Sequence, residues 1–299
     1  LNAMLRKKAG DYDVVNLYNF PSTWAAYGLK KPVVWMFDEP GDIRSNLRQS
    51  LVLKAMYGGG VSIDKYIINN FVDTICVADE TNRERVLRRY GREPHLIPYG
   101  MDIGPSCPKK NEEMRHLFGL DGRFVVFHPG MISAQKNQLE SLKAVWRLHE
   151  KIKDIVLVLT GVSHDGYRKT IEAFIKEKKI EKHVVFLGHL SEESSRHLYM
   201  ASDVAVFPEQ SAGGWLYPFE VISSGAPIVA SKAFAASSLI GREKLGLVTD
   251  DLASAIEYIF LHPQKSRRTS ERAFEWARRN FGWEHFTGQM VDVFDSVIH

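Results

Sequence analysis

The residues best suited to chemistry lie in the segment 209–231, which follows a short apolar run. Gly213 and Gly214 lack a Cβ, so the backbone there can turn tightly and approach a ligand closely. Pro218 suits the first turn of a helix, whose free N–H groups and positive dipole end favour a bound phosphate. Glu220 would lie in the same turn, within reach of a polar group on that ligand. The pattern fits equally well a loop that only connects two buried strands.

A second glycine turn delivers a lysine to the start of a helical pattern. It begins at Gly130 and ends with Lys136 and Asn137. A charge-assisted hydrogen bond from such a lysine to a phosphate contributes roughly 1.5–3 kcal/mol. A third apolar run ends in Gly188-His189-Leu190, where backbone groups can meet the flat edge of a base. A cation, backbone donors and a carboxylate at one sheet edge would together fit a nucleoside diphosphate.

The elements that would position these loops alternate regularly between strand and helix after residue 104. This alternation indicates an α/β fold with parallel strands and right-handed crossovers, a doubly wound sheet. Ligands bind such sheets beyond the carboxyl ends of the strands. Apolar runs predict the strands of this part of the chain at 124–128, 155–160, 184–187, 204–207, 227–230 and 246–249.

The chain before residue 98 shows fewer elements of the same kind, so we expect about half of a similar unit there. The segment 98–104 contains Pro and Gly at several positions and predicts a linker. We therefore predict two Rossmann-like domains with parallel sheets, 1–104 and 105–282, and a helix at 283–299 that could lie on either domain. In the first domain we expect strands at 12–18, 32–37, 74–78 and 95–98, a helix at 22–29 capped by Ser22 or Thr23, and a helical pattern over 42–70.

Composition excludes several classes of protein. A net charge of +3 from 39 basic and 36 acidic residues is too balanced to indicate a nucleic-acid partner. The two cysteines, Cys76 and Cys107, are too few for a disulfide framework or a cysteine zinc site, so a reducing cytoplasm is expected. No apolar run reaches the roughly 18 residues of a membrane span. Asp11-Tyr-Asp13 imitates a metal-binding motif, but it precedes its strand, so we interpret it as surface and predict no metal.

The motifs together resemble the glycosyltransferases of family 4, which have the GT-B fold. This fold has two Rossmann-like domains with the active site between them. The matching segments follow the family's order along most of the chain. They are 11–16, 31–35, 97–102, 130–137, 185–188, 198–208 and 219–231, the last beginning Phe-Glu-Val-Ile-Ser-Ser-Gly.

The resemblance implies transfer of a sugar, with retention of configuration, from a nucleotide-diphosphate donor to an acceptor, leaving UDP or GDP. It implies no cofactor, no metal and no protein nucleophile, because the leaving phosphate assists the incoming hydroxyl. Lys136 matches a lysine that contacts the diphosphate and Glu220 a glutamate that holds the ribose, and we take these two as the catalytic residues. The predicted donor-binding residues are Gly130, Met131, Lys136, Asn137, Gly188, His189, Leu190, Glu209, Gly213, Gly214, Trp215, Leu216 and Glu220.

The sequence also departs from the family's pattern. Ala212 stands where the family has the first glutamate of its paired motif, and Glu209 could replace it only if the loop folds back. Met131 stands where many members have arginine, and Asp38 where many have histidine. The glycine-rich first loop and opening strands of the family's N-terminal domain are absent, so we expect that domain to be incomplete and a segment to be missing before it. Such a chain would bind donor better than it transfers sugar.

Two other functions stay open. One is a non-catalytic nucleotide-sugar-binding or scaffold subunit, and the other is a nucleotide-sugar epimerase with the GT-B fold. The sugar, the base and the acceptor, whether glycan, lipid-linked or small molecule, also stay open, as does peripheral contact with a membrane. His128 could line the cleft or be a satisfied core histidine, and Trp215 could stack on the sugar or cover the helix.

Overall fold

A computed structural model describes residues 1–19, 21–38, 62–104, 112–163, 166–210 and 216–298. The chain divides into two compact units, one of Leu1–Asp102 with Asn280–His299 and one of Ile103–Arg279. The boundary falls within the segment 98–104 predicted as a linker. The final helix, which the sequence could not assign to either domain, belongs to the first unit.

The first unit is built on a four-stranded parallel sheet whose strands follow chain order. Its strands are β1 (Val15–Tyr18), β2 (Val33–Phe37), β3 (Thr74–Val77) and β4 (His95–Leu96). Every residue of β2 is buried, as a central strand covered on both faces requires. Cys76 is buried in β3 as a core residue, whereas Cys107 lies outside the described residues. Where the structure describes this unit, its α-helices are Asn2–Lys7, residues 62–71, Glu80–Tyr90 and Trp283–Ile298.

One local prediction in the first unit was wrong in part, and one helix was missed. The helix expected at 22–29 is a short 3-10 helix, Ser22–Ala26, and neither Ser22 nor Thr23 caps it. The Ser22 hydroxyl instead donates to the Tyr18 and Asn19 carbonyl oxygens at the end of β1. The helix Asn2–Lys7 was not predicted, because it is short and buries none of its residues. Of the helical pattern predicted over 42–70, residues 62–70 are helical and the rest lies outside the described residues.

The last helix joins the first unit through backbone and aromatic contacts. The Met101 N–H donates to the Phe281 carbonyl oxygen at 2.7 Å. The rings of Tyr99 and Phe286 lie 6.3 Å apart. Gly100 packs so closely on Trp283 that a Cβ there would lie 2.4 Å from the indole ring. The segment 99–101 is thereby fixed against the end of the chain.

The second unit has a six-stranded parallel sheet in the order β10-β9-β8-β5-β6-β7. Counted from the start of the unit, this is the order 3-2-1-4-5-6 of a dinucleotide-binding Rossmann sheet. The order reverses between β5 and β8, so their carboxyl ends flank the crevice where such sheets bind ligands. The strands are β5 (Phe124–His128), β6 (Ile155–Thr160), β7 (Val184–Gly188), β8 (Val204–Phe207), β9 (Ile228–Ala230) and β10 (Leu247–Val248).

Helices connect these strands and cover the sheet. The first, Glu112–Leu117, was not predicted, because Arg115 is its only buried residue and it has no apolar period. Arg115 donates to the Ala201 carbonyl oxygen at 2.8 Å and to Asp203 Oδ2 at 3.2 Å, which ties this helix to the start of β8. The others are Gln138–Leu148, Tyr167–Lys178, Glu192–Ala201, Tyr217–Ile222, Ser237–Arg242, Leu252–Leu261 and Pro263–Phe281.

Candidate functional site

The loops that follow β5 and β8 meet at the point where the strand order reverses. The Asn137 side-chain amide donates to the Pro208 carbonyl oxygen at 3.0 Å. Lys136 Nζ lies 2.7 Å from Glu209 Oε1. Asn137 has a left-handed backbone with φ 58° and directly precedes the helix Gln138–Leu148. The sheet topology therefore brings the predicted lysine loop and the segment that begins at Glu209 into direct contact.

The loop after β6 contacts the lysine loop, residues 130–137, through the backbone. The Ile132 N–H donates to the Val162 carbonyl oxygen at 3.0 Å. Gly161 has φ +86°, and a Cβ there would lie 2.5 Å from the Gly130 carbonyl oxygen and 2.9 Å from Met131 Cα. Only glycine allows this approach, because the backbone is left-handed and the neighbouring atoms belong to the main chain. Gly161 was missed in the sequence, where an isolated glycine after a strand reads as an ordinary turn.

Lys136 is a largely buried cation held on three sides. Its side chain is 15% exposed, and its ammonium pairs with Glu209. The ammonium also lies 5.2 Å from the centre of the Tyr217 ring, a distance at which the ring face attracts a cation. Its aliphatic carbons pass over Gly130, where a Cβ would lie 3.6 Å from Lys136 Cε. Tyr217 was not predicted as a site residue, although its position beside Pro218 was a usable signal.

Glu209 is more buried than the lysine with which it pairs. Its side chain is 1% exposed, and burial raises the pKa of its carboxyl to about 6 against the opposing effect of Lys136. Oε1 accepts the hydrogen bond from Lys136, while Oε2 is buried without a hydrogen-bond partner in the described part of the chain. The Ser231 hydroxyl donates to the Glu209 carbonyl oxygen and fixes the backbone.

Glu220 lies in the first turn of the helix Tyr217–Ile222, as the position of Pro218 predicted. The Tyr199 hydroxyl lies 3.5 Å from Glu220 Oε2. Burial raises the pKa of Glu220, and Glu192 adds to this effect, while the hydrogen bond from Tyr199 opposes it. Tyr199 is a buried residue that was given no role in the sequence, although it lies within the matching segment 198–208.

The remaining predicted residues divide into three groups. Gly188 contacts the site indirectly, because its carbonyl oxygen accepts from the Gly161 N–H at 2.6 Å. His189 and Met131 have exposed side chains, whereas those of Leu190 and Leu216 are half-buried. Gly213, Gly214 and Trp215, together with Ala212, lie outside the described residues.

His128 is a satisfied core histidine, one of the two interpretations that the sequence allowed. It is 1% exposed, and its Nδ1 lies 2.8 Å from the Ser141 hydroxyl. Burial lowers its pKa to about 3, and the nearby charge of Lys136 acts in the same direction. His128 is therefore neutral at neutral pH.

Asp38 lies in the first unit at the carboxyl end of β2. Its Oδ1 accepts from the Asn82 side-chain amide at 3.3 Å, and its backbone N–H donates to Asn19 Oδ1 at 2.7 Å. Within the described ranges, no three His, Cys, Asp or Glu side chains are grouped so that they could hold a metal ion. None of the described helices combines the length and apolar character needed to cross a membrane.

Comparison with known proteins identifies the family. The family model "Glycosyl transferases group 1" matches residues 110–276, which is more than half of the chain. The chain belongs to this family. The match covers both loops at the β5–β8 crossover and the helix that carries Glu220.

The curated relatives of this chain include a synthase and a mannosyltransferase. The chain is 26% identical over 277 residues to the alpha-monoglucosyldiacylglycerol synthase of Streptococcus pneumoniae, covering 87% of this chain and 60% of that protein. It is 26% identical over 250 residues to the MMP alpha-(1->4)-mannosyltransferase of Mycolicibacterium hassiacum, covering 80% and 58%. The chain thus spans about three fifths of the length of these relatives.

Among solved structures, Anabaena HepE in complex with UDP resembles this chain with a TM-score of 0.81. The two are 21% identical, and the match covers 99% of this chain and 82% of HepE. This likeness confirms the predicted GT-B fold with its parallel Rossmann-like sheets.

Proposed function

We propose that the chain binds a nucleoside diphosphate sugar beyond the carboxyl ends of β5 and β8, and that the protein transfers the sugar to an acceptor hydroxyl with retention of configuration. The observation that carries this proposal is the placement of Lys136 at the crossover by the loop 130–137. A buried ammonium at this position suits a diphosphate that gains negative charge as the sugar leaves. The family and the names of its relatives support the reaction class.

The roles of the other residues follow from their positions. Glu220 accepts hydrogen bonds from the ribose hydroxyls, and Tyr199 orients it through the contact with Oε2. Gly130 allows the backbone of the lysine loop to pass close to the phosphates, and Gly161 holds that loop in place. Because the helix Tyr217–Ile222 has only six residues, its dipole adds little, and Lys136 supplies the positive charge.

Isothermal titration calorimetry with UDP and GDP tests this site. We expect at least one of the two nucleotides to bind, and Lys136→Ala to weaken its binding by about 10- to 100-fold, the equivalent of one charge-assisted hydrogen bond. Lys143→Ala is the matched control, since Lys143 lies on the following helix and forms an exposed pair with Glu140. Absence of binding at millimolar nucleotide, or equal effects of the two substitutions, would contradict the proposal.

Donor hydrolysis followed by proton NMR tests the chemistry. A retaining transferase should release the sugar first as the anomer that it has in the donor, and a chelator should leave the rate unchanged. The inverted anomer, or inhibition by the chelator, would contradict retention or metal independence. Nucleotide binding without any sugar release would favour a scaffold subunit, and interconversion of donor sugars without acceptor would favour an epimerase.

A further inference from the structure

Glu209 presents an electrostatic problem for the proposed diphosphate site. Lys136 Nζ lies 2.7 Å from Glu209 Oε1, so a buried carboxylate already balances the charge of the lysine. A diphosphate bound to Lys136 would have to share that ammonium with Glu209. Two anions that share one cation at short range raise the pKa of the weaker acid, because both cannot stay ionised without a large cost.

Among the described residues, few other groups near Glu209 could stabilise a second negative charge. The ring of Tyr217 faces the Lys136 ammonium, and burial, with Glu220 and Glu209 acting in the same direction, raises the pKa of Tyr217, so its phenol stays neutral. His128, at the end of β5, has its pKa lowered to about 3 and is neutral as well. From the start of the segment after β9, the Ser231 hydroxyl reaches only the backbone carbonyl of Glu209.

The second carboxyl oxygen of Glu209 indicates how the charge conflict can be resolved. Oε2 is buried in a side chain that is 1% exposed, and it has no hydrogen-bond partner within the described ranges. An unpaired buried carboxylate oxygen is costly, whereas a protonated one becomes a donor. A phosphate oxygen on Lys136 would be an acceptor beside it.

We infer that Glu209 binds the diphosphate as a neutral carboxylic acid: nucleotide binding at Lys136 takes up one proton from solvent onto Glu209, whose hydroxyl then donates a hydrogen bond to a phosphate oxygen. The inference rests on the proposed function and adds to it a residue that positions the leaving group. Protonation of Glu209 costs little free energy near neutral pH, because burial already raises the pKa of its carboxyl to about 6. At pH 7 roughly a tenth of the molecules carry it before ligand binds.

Because proton uptake is coupled to nucleotide binding, it determines how the affinity for nucleotide depends on pH. Between pH 6 and 8 each unit of pH should weaken binding about tenfold, because one proton is taken up; below pH 6 the dependence should level off, because Glu209 is already protonated. UDP-glucose and GDP-mannose are suitable probes, since each of their phosphates is substituted on two oxygens and has no proton that titrates near pH 7. The terminal phosphate of UDP or GDP would itself titrate near pH 6.

Calorimetry at pH 7 in PIPES, MOPS and Tris measures the proton directly. These buffers differ in ionisation enthalpy, so the slope of binding enthalpy against ionisation enthalpy gives the number of protons taken up. We expect nearly one for the unmodified chain. Glu209→Gln, which mimics the neutral acid, should take up none, should bind at pH 8 at least about tenfold more tightly than the unmodified chain, and should show no pH dependence.

Glu140→Gln is the matched control, because Glu140 also pairs with a lysine, at 2.6 Å, but on the surface. It should keep the proton uptake and pH dependence of the unmodified chain. Binding without proton uptake, or weaker binding by Glu209→Gln at pH 8, would overturn the inference alone. If neither sugar nucleotide binds, the proposed function fails and the inference with it. If Glu209→Gln does not fold, the buffer series on the unmodified chain still decides.

Discussion

Two buried side chains beside Lys136 respond to burial in opposite directions. Burial disfavours the charged form of each, so it lowers the pKa of His128 to about 3 and raises that of Glu209 to about 6. His128 stays neutral in the folded protein at pH values where an unfolded histidine is charged. Glu209 becomes neutral at pH values where an unfolded glutamate is charged.

The lowered pKa of His128 should make the folded protein less stable in acid. The pKa of His128 is lower in the folded protein than the 6.5 of an unfolded histidine, so its stabilisation is present above pH 6.5 and is lost as the pH falls. We expect His128 to reduce the free energy of unfolding by about 2 kcal/mol between pH 7 and pH 5. Glu209 changes in the opposite sense, since its raised pKa makes folding more favourable as the pH falls below 6.

Urea unfolding of variants at pH 7 and pH 5 measures this contribution. His128→Gln should show a smaller loss between the two pH values than the unmodified chain, and the effect of Glu209 cancels in the comparison. His116→Gln is the control for the substitution itself, because His116 is 85% exposed. An equal loss in all three proteins would show that His128 does not remain neutral on folding.

At the scale of elements, the contact between the loops after β5 and β6 depends on one glycine. Gly161→Ala would combine a left-handed backbone, φ +86°, with a contact of 2.5 Å to the Gly130 carbonyl oxygen. We expect it to cost about 3 kcal/mol in unfolding free energy and to weaken UDP or GDP binding through displacement of the lysine loop. Thermal unfolding and calorimetry measure the two effects.

Gly122→Ala is the control that separates the strain of a left-handed backbone from the steric contact at Gly161. Gly122 has φ +65°, but no atom lies within 4 Å of the position of its Cβ. Its substitution should cost only the strain of the left-handed backbone, about 1–2 kcal/mol, and leave nucleotide binding unchanged. If Gly161→Ala binds nucleotide as well as Gly122→Ala does, the lysine loop does not depend on Gly161.

The helix Glu112–Leu117 depends on a single buried charge. Arg115 is 4% exposed and shares Asp203 Oδ2 with the Val125 N–H. Arg115→Met would leave Asp203 with an incomplete set of donors, and we expect a loss of about 3 kcal/mol in urea unfolding. Arg242→Met, at an arginine that is 61% exposed beside Glu243, should change stability by less than about 1 kcal/mol. Similar losses for both would argue against a structural role of the buried pair.

These elements show what a sequence can and cannot reveal. The bounds of β5, β6 and β8 agree with the prediction, because a continuous apolar run between polar breaks is unambiguous when a parallel strand is buried on both faces. The positions of Lys136 in the loop after β5 and of Glu220 in a helix after β8 agree with the prediction, because both follow strands that were identified correctly. The Lys136–Glu209 pair, Gly161 and Arg115 were not predicted, since each depends on a contact between segments far apart in the chain, which only the folded sheet brings together.

At the scale of the whole molecule, the first unit depends on the segment 99–101 and its contacts with the last helix. A Cβ at Gly100 would lie 2.4 Å from the Trp283 ring and 3.1 Å from its Cα. Gly100→Ala should therefore loosen the first unit and leave the second unit unaffected. Hydrogen exchange should become faster in β3 and stay unchanged in β8.

Gly10→Ala is the control within the same unit, because no atom lies within 4 Å of the position of its Cβ. It should leave exchange in both strands as in the unmodified chain. Faster exchange in β8 as well as β3 after Gly100→Ala would mean that the two units unfold together. Unchanged exchange in both strands would mean that the last helix contributes little to the first unit.

Because residues 280–299 belong to the first unit, the two units are completed in a fixed order during synthesis on the ribosome. Residues 103–279 leave the exit tunnel as a complete unit, while the four-stranded sheet made before them still lacks residues 280–299. The unit that begins earlier in this chain is therefore completed later. A nascent chain that stops after residue 279 would contain the whole six-stranded sheet but lack the last helix of the first unit.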